Sequence, residues 1–472
     1  MELPRLFVAP ANLPPDTRHN WKATQKEGVA FGPMDAAGSF LPVLLARLGA
    51  SNEQVGLLSA IPNLAGFLLA IPVGHFLQGR RNIVPWYSRG RFVNQLVIPA
   101  IGISLLLLPP EQVVPVIIVL VGLSAVVGSF ANFSFYTVMD GLSGPNGRYE
   151  LMSRRWAMKG AATAISLAVI GWILANLAFP HSYELVYIAT GVAAVVGFSF
   201  ARTFRIPDQV RRPAPEVRPS PRARASTSVR EIAGERRFLA FLGRHSMLSL
   251  GLSMAVPLIP LYYVRELGAS DAWIGLIGTT QAVMTMSGYV LWRGMARRRG
   301  GGALILVVST IGVALFPAVL AFTRAELAVA VFVAGYGVCL AGIELSIFDE
   351  LMRAVPPAEA TRFAALDQGA TSLGGIVGPI AGALVAGALG IPAGLVVAAL
   401  VTLLGAAMFA TSVLPRRKAV ARGAGDGALP AADAPLRACD GALPAADAPL
   451  RASDGALPAA DAIAVAGSTK AS

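Results

Sequence analysis

Two acidic residues interrupt apolar stretches of the sequence and could do chemistry inside a membrane. Asp35 lies near the middle of the first apolar stretch, and Glu344 lies within the tenth. A carboxylate buried among lipid chains costs about 3 kcal/mol on insertion scales, so it normally faces a cavity or a partner. Asp35 is therefore the first candidate for binding a coupling proton or a cationic group. Two alternatives stay open: Asp35 lies at a helix end, and Glu344 extends to the membrane surface near Arg353.

Uncharged polar and aromatic side chains in other apolar stretches form a second group of candidates for contact with a substrate or coupling ion. They are Asn63, Asn132, Tyr136, His245, Gln281 and Tyr336. Asn132 and Tyr136 are one helical turn apart and so share a face. In apolar helices such side chains more often bond a neighbouring helix than a ligand.

Residues at the ends of the apolar stretches form a third group, expected to act as gates or to make ion pairs in loops. They are Gly74, Arg80, Arg81, Asp140, Arg148, Asp349 and Arg362. Arg155 is a further possible partner for the acids of this group.

Several kinds of site are not expected. The chain has no Gly-x-x-x-x-Gly-Lys-Ser/Thr loop for binding nucleotide phosphates. Its histidines, His19, His75, His181 and His245, are scattered over loops and different apolar stretches. We therefore predict no catalytic residues, no metal and no cofactor. Cys339 and Cys439 differ in their surroundings, so no disulfide is expected.

The elements that carry these residues are membrane-spanning helices. The chain has 472 residues, of which 55% are hydrophobic and 14% charged. Such a composition is typical of an integral membrane protein. Read as runs of about 20 apolar residues, the sequence predicts twelve spans, near 27–47, 54–77, 92–109, 113–139, 157–178, 184–203, 238–263, 272–292, 303–322, 326–348, 365–388 and 391–414.

The basic residues between the spans predict the orientation. They concentrate in alternate loops, which predicts that these loops and both termini are cytoplasmic. The protein is expected to lie in the inner cell membrane. The net charge of +12 follows this loop pattern rather than forming a patch for nucleic acid. The expected partners are the lipid bilayer, a small-molecule substrate and a coupling ion, of which a proton is one possibility. We expect a monomer.

These features divide the chain into five segments: a cytoplasmic N-terminal segment 1–26, a six-helix bundle 27–203, a basic Pro/Arg-rich cytoplasmic linker 204–237, a second bundle 238–414 and a cytoplasmic tail 415–472. The tail repeats Gly-Ala-Leu-Pro-Ala-Ala-Asp-Ala with a period of 14 residues. The aspartates that precede the first two copies, Asp426 and Asp440, give this spacing (440 − 426 = 14). It is rich in Ala, Pro, Asp and Gly and poor in bulky apolar residues, which predicts disorder.

The two bundles contain an internal repeat. Leu-Gly-Ala-Ser occurs at 48–51 and again at 267–270, joining the first two spans of each half. With six helices, a long linker and six helices, the chain resembles the major facilitator superfamily over about residues 25–414. This resemblance implies two parallel six-helix halves, a substrate site near the membrane midplane and secondary active transport by alternating access, driven by a proton or solute gradient.

Some motifs of that family are altered here. The family usually has Gly-x-x-x-Asp-Arg-x-Gly-Arg-Arg between its second and third helices, whereas Gln78 stands where the acid is expected. The fifth span also lacks the Gly-Pro pair of many proton-driven drug exporters. A drug or multidrug efflux antiporter of the same fold remains an alternative. A membrane sensor or scaffold that does not transport, and an intramembrane enzyme, are alternatives of other classes.

Overall fold

The helices of this computed structural model form two halves, as the internal repeat predicts. The structure describes residues 13–78, 80–143, 148–206, 235–299, 302–354 and 360–423. The described part is helical, with no strand in those ranges.

The first half contains eight helical segments. They are α1 (Pro15–Ser39), α2 (Leu41–Arg47), α3 (Asn52–Gln78), α4 (Val84–Gln95), α5 (Val97–Leu107), α6 (Pro110–Ser143), α7 (Arg148–Asn176) and α8 (His181–Ala201). Two spans are each split into a pair of consecutive segments, α1 with α2 and α4 with α5, so the eight segments make six membrane crossings.

The second half contains six helices. They are α9 (Arg236–Arg265), α10 (Asp271–Arg299), α11 (Gly302–Leu320), α12 (Glu326–Ala354), α13 (Ala360–Leu389) and α14 (Ile391–Gly423). Eleven stretches of the described chain are long and apolar enough to cross a membrane, and the apolar part of α11, Leu304–Leu320, is shorter. The prediction of an all-α membrane protein with a twelve-helix plan is confirmed.

The first helix begins well before the predicted span. The sequence assigned residues 1–26 to a segment outside the membrane, but α1 begins at Pro15. Trp21, Thr24 and Gln25 are buried in the bundle. A hydropathy window overlooks this part of the helix because its residues are polar, and it is buried by packing against other helices. The helix therefore begins twelve residues before the predicted start of the span (27 − 15 = 12).

Each half packs its helices in the same order. In the first half α1 packs on α7, and in the second half the corresponding helix α9 packs on α13. Across the halves, α3 packs on α13 and α7 packs on α10. The two interfaces between the halves are thus themselves related by the internal repeat.

The apolar core is shared at one end of the molecule and divided at the other. We call the end where α8 finishes and α9 begins the linker end. At the opposite end one continuous core includes residues of both halves, among them Phe40, Leu44, Leu258 and Tyr262. Among the described residues at the linker end, the core around Trp21 and Tyr87 is built from the first half and that around Phe238 and Phe363 from the second.

Candidate functional site

A buried cluster of charges joins α1, α4 and α7 within the first half. Arg155 Nη2 lies 2.9 Å from Glu27 Oε2, and Arg91 Nε lies 2.5 Å from Glu27 Oε1. The side chains of Glu27 and Arg155 are each only 1% exposed. Two guanidinium groups therefore share one carboxylate, and the cluster carries an excess positive charge of one unit.

Aromatic rings surround these guanidinium groups. The Arg91 guanidinium lies 4.2 Å from the centre of the Phe31 ring, and that of Arg155 lies 5.1 Å from the centre of Phe135. Cation–π contacts in desolvated surroundings are worth about 2 kcal/mol. The rings thus help to accommodate the excess positive charge away from water.

Asp35 lies two helical turns beyond Glu27 on α1 and faces the same helix, α7. Lys159 Nζ is 3.0 Å from Asp35 Oδ2, and Thr163 Oγ1 donates a hydrogen bond of 3.2 Å to the same oxygen. The Asp35 side chain is 39% exposed, whereas that of Lys159 is 15% exposed. The ammonium group also lies 4.8 Å from the centre of Phe31 and 5.2 Å from that of Trp156. Asp35 is therefore the accessible member of the pair, and Lys159 is held by its neighbours.

Glycines allow α1 and α7 to approach closely enough for these pairs to form. A Cβ atom on Gly32 would lie 2.5 Å from Ala162 Cβ and 2.8 Å from the backbone nitrogen of Thr163. A Cβ atom on Gly28 would lie 3.2 Å from Arg155 Cγ. Small residues at this spacing let helix backbones pack closely within a membrane.

A hydrogen-bonded pair in the second half joins α9 to α13. His245 Nδ1 lies 2.7 Å from Asp367 Oδ1, with side chains that are 17% and 10% exposed. One turn further along, Ser249 donates a hydrogen bond to the backbone oxygen of Thr371. His245 was predicted as a candidate from the sequence, whereas Asp367 was not.

Glu344 on α12 is paired with a tyrosine on α10. The hydroxyl of Tyr289 donates to Glu344 Oε2, and the Glu344 side chain is exposed. Trp292 lies one turn beyond Tyr289, and its Nε1 donates a hydrogen bond of 2.7 Å to the backbone oxygen of Val338. The Glu344 carboxylate thus has a fixed partner on a helix that also contacts the first half.

The α7–α10 interface brings the Asp35 pair and the Glu344 pair to opposite sides of one seam. Gly171 and Gly275 meet there, since a Cβ atom on Gly171 would lie 2.9 Å from the Cα of Gly275. The hydroxyl of Thr279 donates a hydrogen bond of 3.1 Å to the backbone oxygen of Ala164. Nearer the linker end, Gly160 faces Met286. Lys159 and Tyr289 lie within one turn of these two residues along their helices.

A crevice lies between α3, α9 and α13, at the other interface between the halves. It has a volume of about 310 Å³ and is lined by Ser59, Pro62, Asn63, Ser253, Val256, Gly375 and Pro379. The side-chain amide of Asn63 donates a hydrogen bond of 2.8 Å to the backbone oxygen of Ser59. A Cβ atom on Gly375 would lie 2.7 Å from the Asn63 side chain. Asn63 thus lies where the two halves touch.

Reciprocal arginine contacts join the halves at the end opposite the linker. Arg47 of the first half donates a hydrogen bond of 2.7 Å to Asp271 Oδ1 and one of 2.9 Å to the backbone oxygen of Ala269. Arg265 of the second half donates a hydrogen bond of 2.6 Å to Asn52 Oδ1 and a second hydrogen bond to the backbone oxygen of Ala50. We call these contacts the arginine latch.

The latch acceptors are equivalent positions of the internal repeat (269 − 50 = 219; 271 − 52 = 219). Both lie beside the turns in which Gly49 and Gly268 have φ of +79° and +59°. This backbone conformation favours glycine. Each half thus presents the same glycine turn to an arginine of the other half.

Three other predicted residues occupy different surroundings. Gln281 is half-buried on α10, and its backbone oxygen accepts a hydrogen bond from Thr285. Tyr336 packs against the core with its ring centre 4.8 Å from that of Phe316. Asn132 is exposed on α6.

The residues predicted as gates are only partly described. The Arg80 guanidinium lies 4.4 Å from the centre of Phe76 and 5.2 Å from that of Trp86, so aromatic rings hold it in its loop. Arg81 is exposed, and a Cβ atom on Gly74 would meet nothing within 4 Å. The side chains of Tyr136, Asp140, Arg148, Asp349 and Arg362 lie outside the described residues.

The sequence interpretation missed Glu27, Arg91 and Lys159, and it paired Arg155 with other acids. Glu27 and Arg91 lie at the predicted ends of spans, where a hydropathy window stops at a charge. A signal was present, because Glu27, Phe31 and Asp35 repeat every four residues on one helix, as do Arg155, Lys159 and Thr163 on another. Opposite charges in two matching stripes are typical of paired helix faces.

Comparison with known proteins supports the predicted relationship. Residues 245–443 match the sequence model of the Major Facilitator Superfamily. No curated protein matches the chain at a significant level. This match in the second half and the fold agree with the resemblance seen in the sequence.

Several solved structures share the fold at low sequence identity. The nucleoside transporter NupG is 13% identical, with a TM-score of 0.61 over 82% of this chain and 98% of its own. A D-xylose-proton symporter is 14% identical, with a TM-score of 0.62 over 83% and 96%. A bacterial homologue of the iron transporter ferroportin, in an inward-facing state, is 16% identical, with a TM-score of 0.61 over 87% and 99%.

Proposed function

We propose that this protein is a secondary active transporter of the major facilitator type that moves a small solute by alternating access, driven by a proton or solute gradient. The observation that carries the proposal is the half-exposed Asp35 carboxylate, held by Lys159 and Thr163 beside the seam between the halves. The fold alone does not establish a function.

The Asp35 pair has the chemistry of an exchangeable contact. A proton or a cationic group of the solute that binds Asp35 competes with Lys159 for the carboxylate. When Lys159 is displaced, its ammonium group keeps its contacts with Phe31 and Trp156. The cost of breaking the ion pair is thereby reduced, as a binding event that must be reversed in every cycle requires.

The distribution of contacts between the halves supports alternating access. The arginine latch and the shared core hold the halves together at one end, while the linker-end cores belong to separate halves. This is the arrangement of a conformer that is open toward the linker. In the proposed orientation both termini and the linker are cytoplasmic and the protein resides in the inner membrane as a monomer, so this conformer faces the cytoplasm.

The first experiment is a thermal-unfolding screen of the purified protein against sugars, nucleosides, amino acids, organic anions and lipophilic cations. A ligand at a hundredfold excess over its Kd stabilises the native state by about 2.7 kcal/mol. We expect one class of solute to raise the unfolding midpoint, and Asp35→Asn to remove that rise. The matched control is Asp16→Asn, since Asp16 is 70% exposed in its pair with Arg205.

Each result has a definite meaning. A solute that stabilises both the wild type and Asp35→Asn supports transport but removes Asp35 from the site. Uptake of the stabilising solute into proteoliposomes then tests transport itself. If no solute binds and none is taken up, the proposal is wrong and a sensor or scaffold becomes the better interpretation.

A further inference from the structure

The α1–α7 contact of the first half and the α9–α13 contact of the second half are repeat-equivalent seams. Glu27 and Arg155 are 128 residues apart, and His245 and Asp367 are 122 apart. The acid and the histidine occupy corresponding positions of the repeat, and so do Phe31 and Ser249 one turn later (245 − 27 = 218; 249 − 31 = 218). The offset is 218 before the glycine turn, as for Arg47 and Arg265, and 219 after it, because the second copy has one extra residue, Glu266.

The next contacts along both seams keep this correspondence. Lys159 and Thr371 lie one turn beyond Arg155 and Asp367 respectively (159 − 155 = 4; 371 − 367 = 4). Lys159 lies over the Phe31 ring in one seam, and the backbone oxygen of Thr371 accepts from Ser249 in the other. The His245–Asp367 pair therefore occupies the place in the second half that Glu27–Arg155 occupies in the first.

The two pairs differ in one chemical respect. An arginine side chain stays protonated throughout the physiological range, so the Glu27–Arg155 pair is fixed. A histidine changes charge with a reference pKa of about 6.5. An ionised carboxylate only accepts hydrogen bonds, so His245 Nδ1 must donate to Asp367, which leaves Nε2 of the neutral ring free to take up a proton.

Charged side chains lie on several of the helices packed against α9. Asp367 of α13 is the partner at hydrogen-bond distance. Arg244, next to His245, lies over the Phe409 ring of α14 at 5.9 Å. Glu344 of α12 is bound by Tyr289, and Glu350 lies further along the same helix. The other charged side chains that the structure describes on these helices are Glu53 on α3, Arg47 on α2 in the latch and Glu326 at the start of α12.

We infer that the His245–Asp367 pair is the proton-binding site of this protein, and that the second half carries the proton while its fixed counterpart in the first half cannot. The inference rests on the proposed transport function. A proton from water binds Nε2 of the neutral imidazole, forming an imidazolium that still donates from Nδ1 to Asp367. Loss of the same proton restores the neutral ring, so that one proton is carried and no other bond is made or broken.

The deciding experiment is a nuclear magnetic resonance titration of protein labelled with ¹⁵N in histidine. The chain contains four histidines, so comparison with His245→Gln assigns the His245 signals. We expect its ring nitrogens to show the neutral pattern in alkaline buffer and the doubly protonated pattern in acidic buffer. In Asp367→Asn the Nδ1 signal should lose the signature of a hydrogen bond to a carboxylate.

A second histidine–acid pair provides the control. His181 Nδ1 lies 2.9 Å from Glu184, but the His181 side chain is 76% exposed at the start of α8. His181→Gln should leave the His245 titration unchanged. A His245 ring that stays neutral in acidic buffer, or whose Nδ1 signal is the same in the wild type and Asp367→Asn, overturns the inference.

A transport assay separates this inference from the proposed function. With the solute found in the thermal screen, we expect His245→Gln to retain solute-for-solute exchange in proteoliposomes but to lose at least 90% of accumulation driven by a pH gradient. His181→Gln should retain both. Full gradient-driven accumulation by His245→Gln overturns the proton assignment and leaves transport standing, whereas absence of exchange in the wild type contradicts the proposed function instead.

Discussion

The acidic side chains Glu27 and Asp35 of α1, one buried and one half-exposed, are paired with basic side chains of neighbouring helices. Glu27 lies between Arg91 and Arg155, and Asp35 lies beside Lys159. Removing one member of such a cluster leaves the others without compensation in surroundings of low polarity. The consequences of substitution should therefore depend on burial rather than on charge alone.

Glu27→Gln should strongly destabilise the protein. Two guanidinium groups would lose their shared carboxylate, and breaking a buried pair costs about 3 to 5 kcal/mol. The measurement is the thermal-unfolding midpoint in detergent, together with the amount of folded protein in the membrane.

The control for Glu27→Gln is Asp16→Asn, which removes the acid of an exposed pair with Arg205. Exposed pairs contribute about 0 to 1 kcal/mol, so this variant should unfold near the wild-type temperature. Equal destabilisation by both substitutions would show that burial does not set the strength of the Glu27 cluster.

Among the acidic residues, the sequence identified candidates where the charge stood inside an apolar run. Asp35 and Glu344 were recognised in this way. Glu27 and Arg91 were not, because they stand where a hydropathy window ends, although their helices continue. Asp367 also stands close to the start of a predicted span. Whether such a residue is a surface charge or a buried partner depends on the helix that packs against it, which a single sequence does not specify.

Helix packing in the first half depends on close approach of α1 and α7. Gly32 is the point of closest approach, since any side chain there would meet Ala162 and the backbone of Thr163. The same contact sets the position of the Asp35 pair. The geometry of the site is therefore determined by the spacing of two helices and not by the charged residues alone.

Gly32→Ala should separate α1 from α7 and destabilise the protein by about 1 to 3 kcal/mol, the usual cost of overpacking. Gly38→Ala on the same helix is the control, because a Cβ atom there would meet nothing within 4 Å. We expect Gly38→Ala to be neutral or slightly stabilising, as alanine favours helix. Thermal unfolding compares the two, and equal midpoints would argue against a tight α1–α7 contact.

The number and order of the helices could be predicted from the sequence, whereas some of their ends could not. Apolar runs gave the plan of two six-helix halves, and the Leu-Gly-Ala-Ser repeat gave their relationship. The start of α1 at Pro15 was missed because its first turns are polar and are buried by tertiary packing. Similarly, α4 begins at Val84, eight residues before the predicted span at 92.

At the scale of the whole molecule, the arginine latch holds one end closed. Arg47 and Arg265 each bind the other half, so the latch contributes to the balance between conformers that are open to opposite sides. A change in that balance requires a difference in interaction energy between the two conformers. Contacts that exist only when this end is closed provide such a difference.

Arg47→Asp should therefore shift the population toward conformers open at the end opposite the linker. The measurement is the distance between spin labels at Glu111→Cys and Glu326→Cys, which are exposed at the starts of α6 and α12. Cys339→Ser and Cys439→Ser remove the native thiols. We expect the fraction of long distances to increase several-fold.

A charge exchange tests whether the ion pair itself is responsible. Asp271→Arg alone should also open this end, and the combination of Arg47→Asp with Asp271→Arg should restore a large part of the closed population. If the double variant is as open as the single ones, the Arg47–Asp271 pair does not hold the end closed.

The tail should be dispensable for transport. Residues beyond 423 lie outside the described part of the chain, and their Ala-Pro-Asp repeats lack the apolar residues needed for a core. Truncation after Lys418 should leave both membrane abundance and solute uptake at wild-type levels. Loss of uptake at unchanged abundance, measured in proteoliposomes, would contradict this prediction.

The arginine latch has a consequence for how the sequence can change over time. Each arginine binds one side-chain oxygen and one backbone oxygen of the opposing half. The backbone acceptor remains whichever residue occupies the position, so mutation of the side-chain acceptor weakens the contact without abolishing it. The repeat already records such a difference, with Asn52 in one copy and Asp271 in the other. The closed end can therefore tolerate substitution of its acceptors, whereas the two arginines themselves have no such reserve.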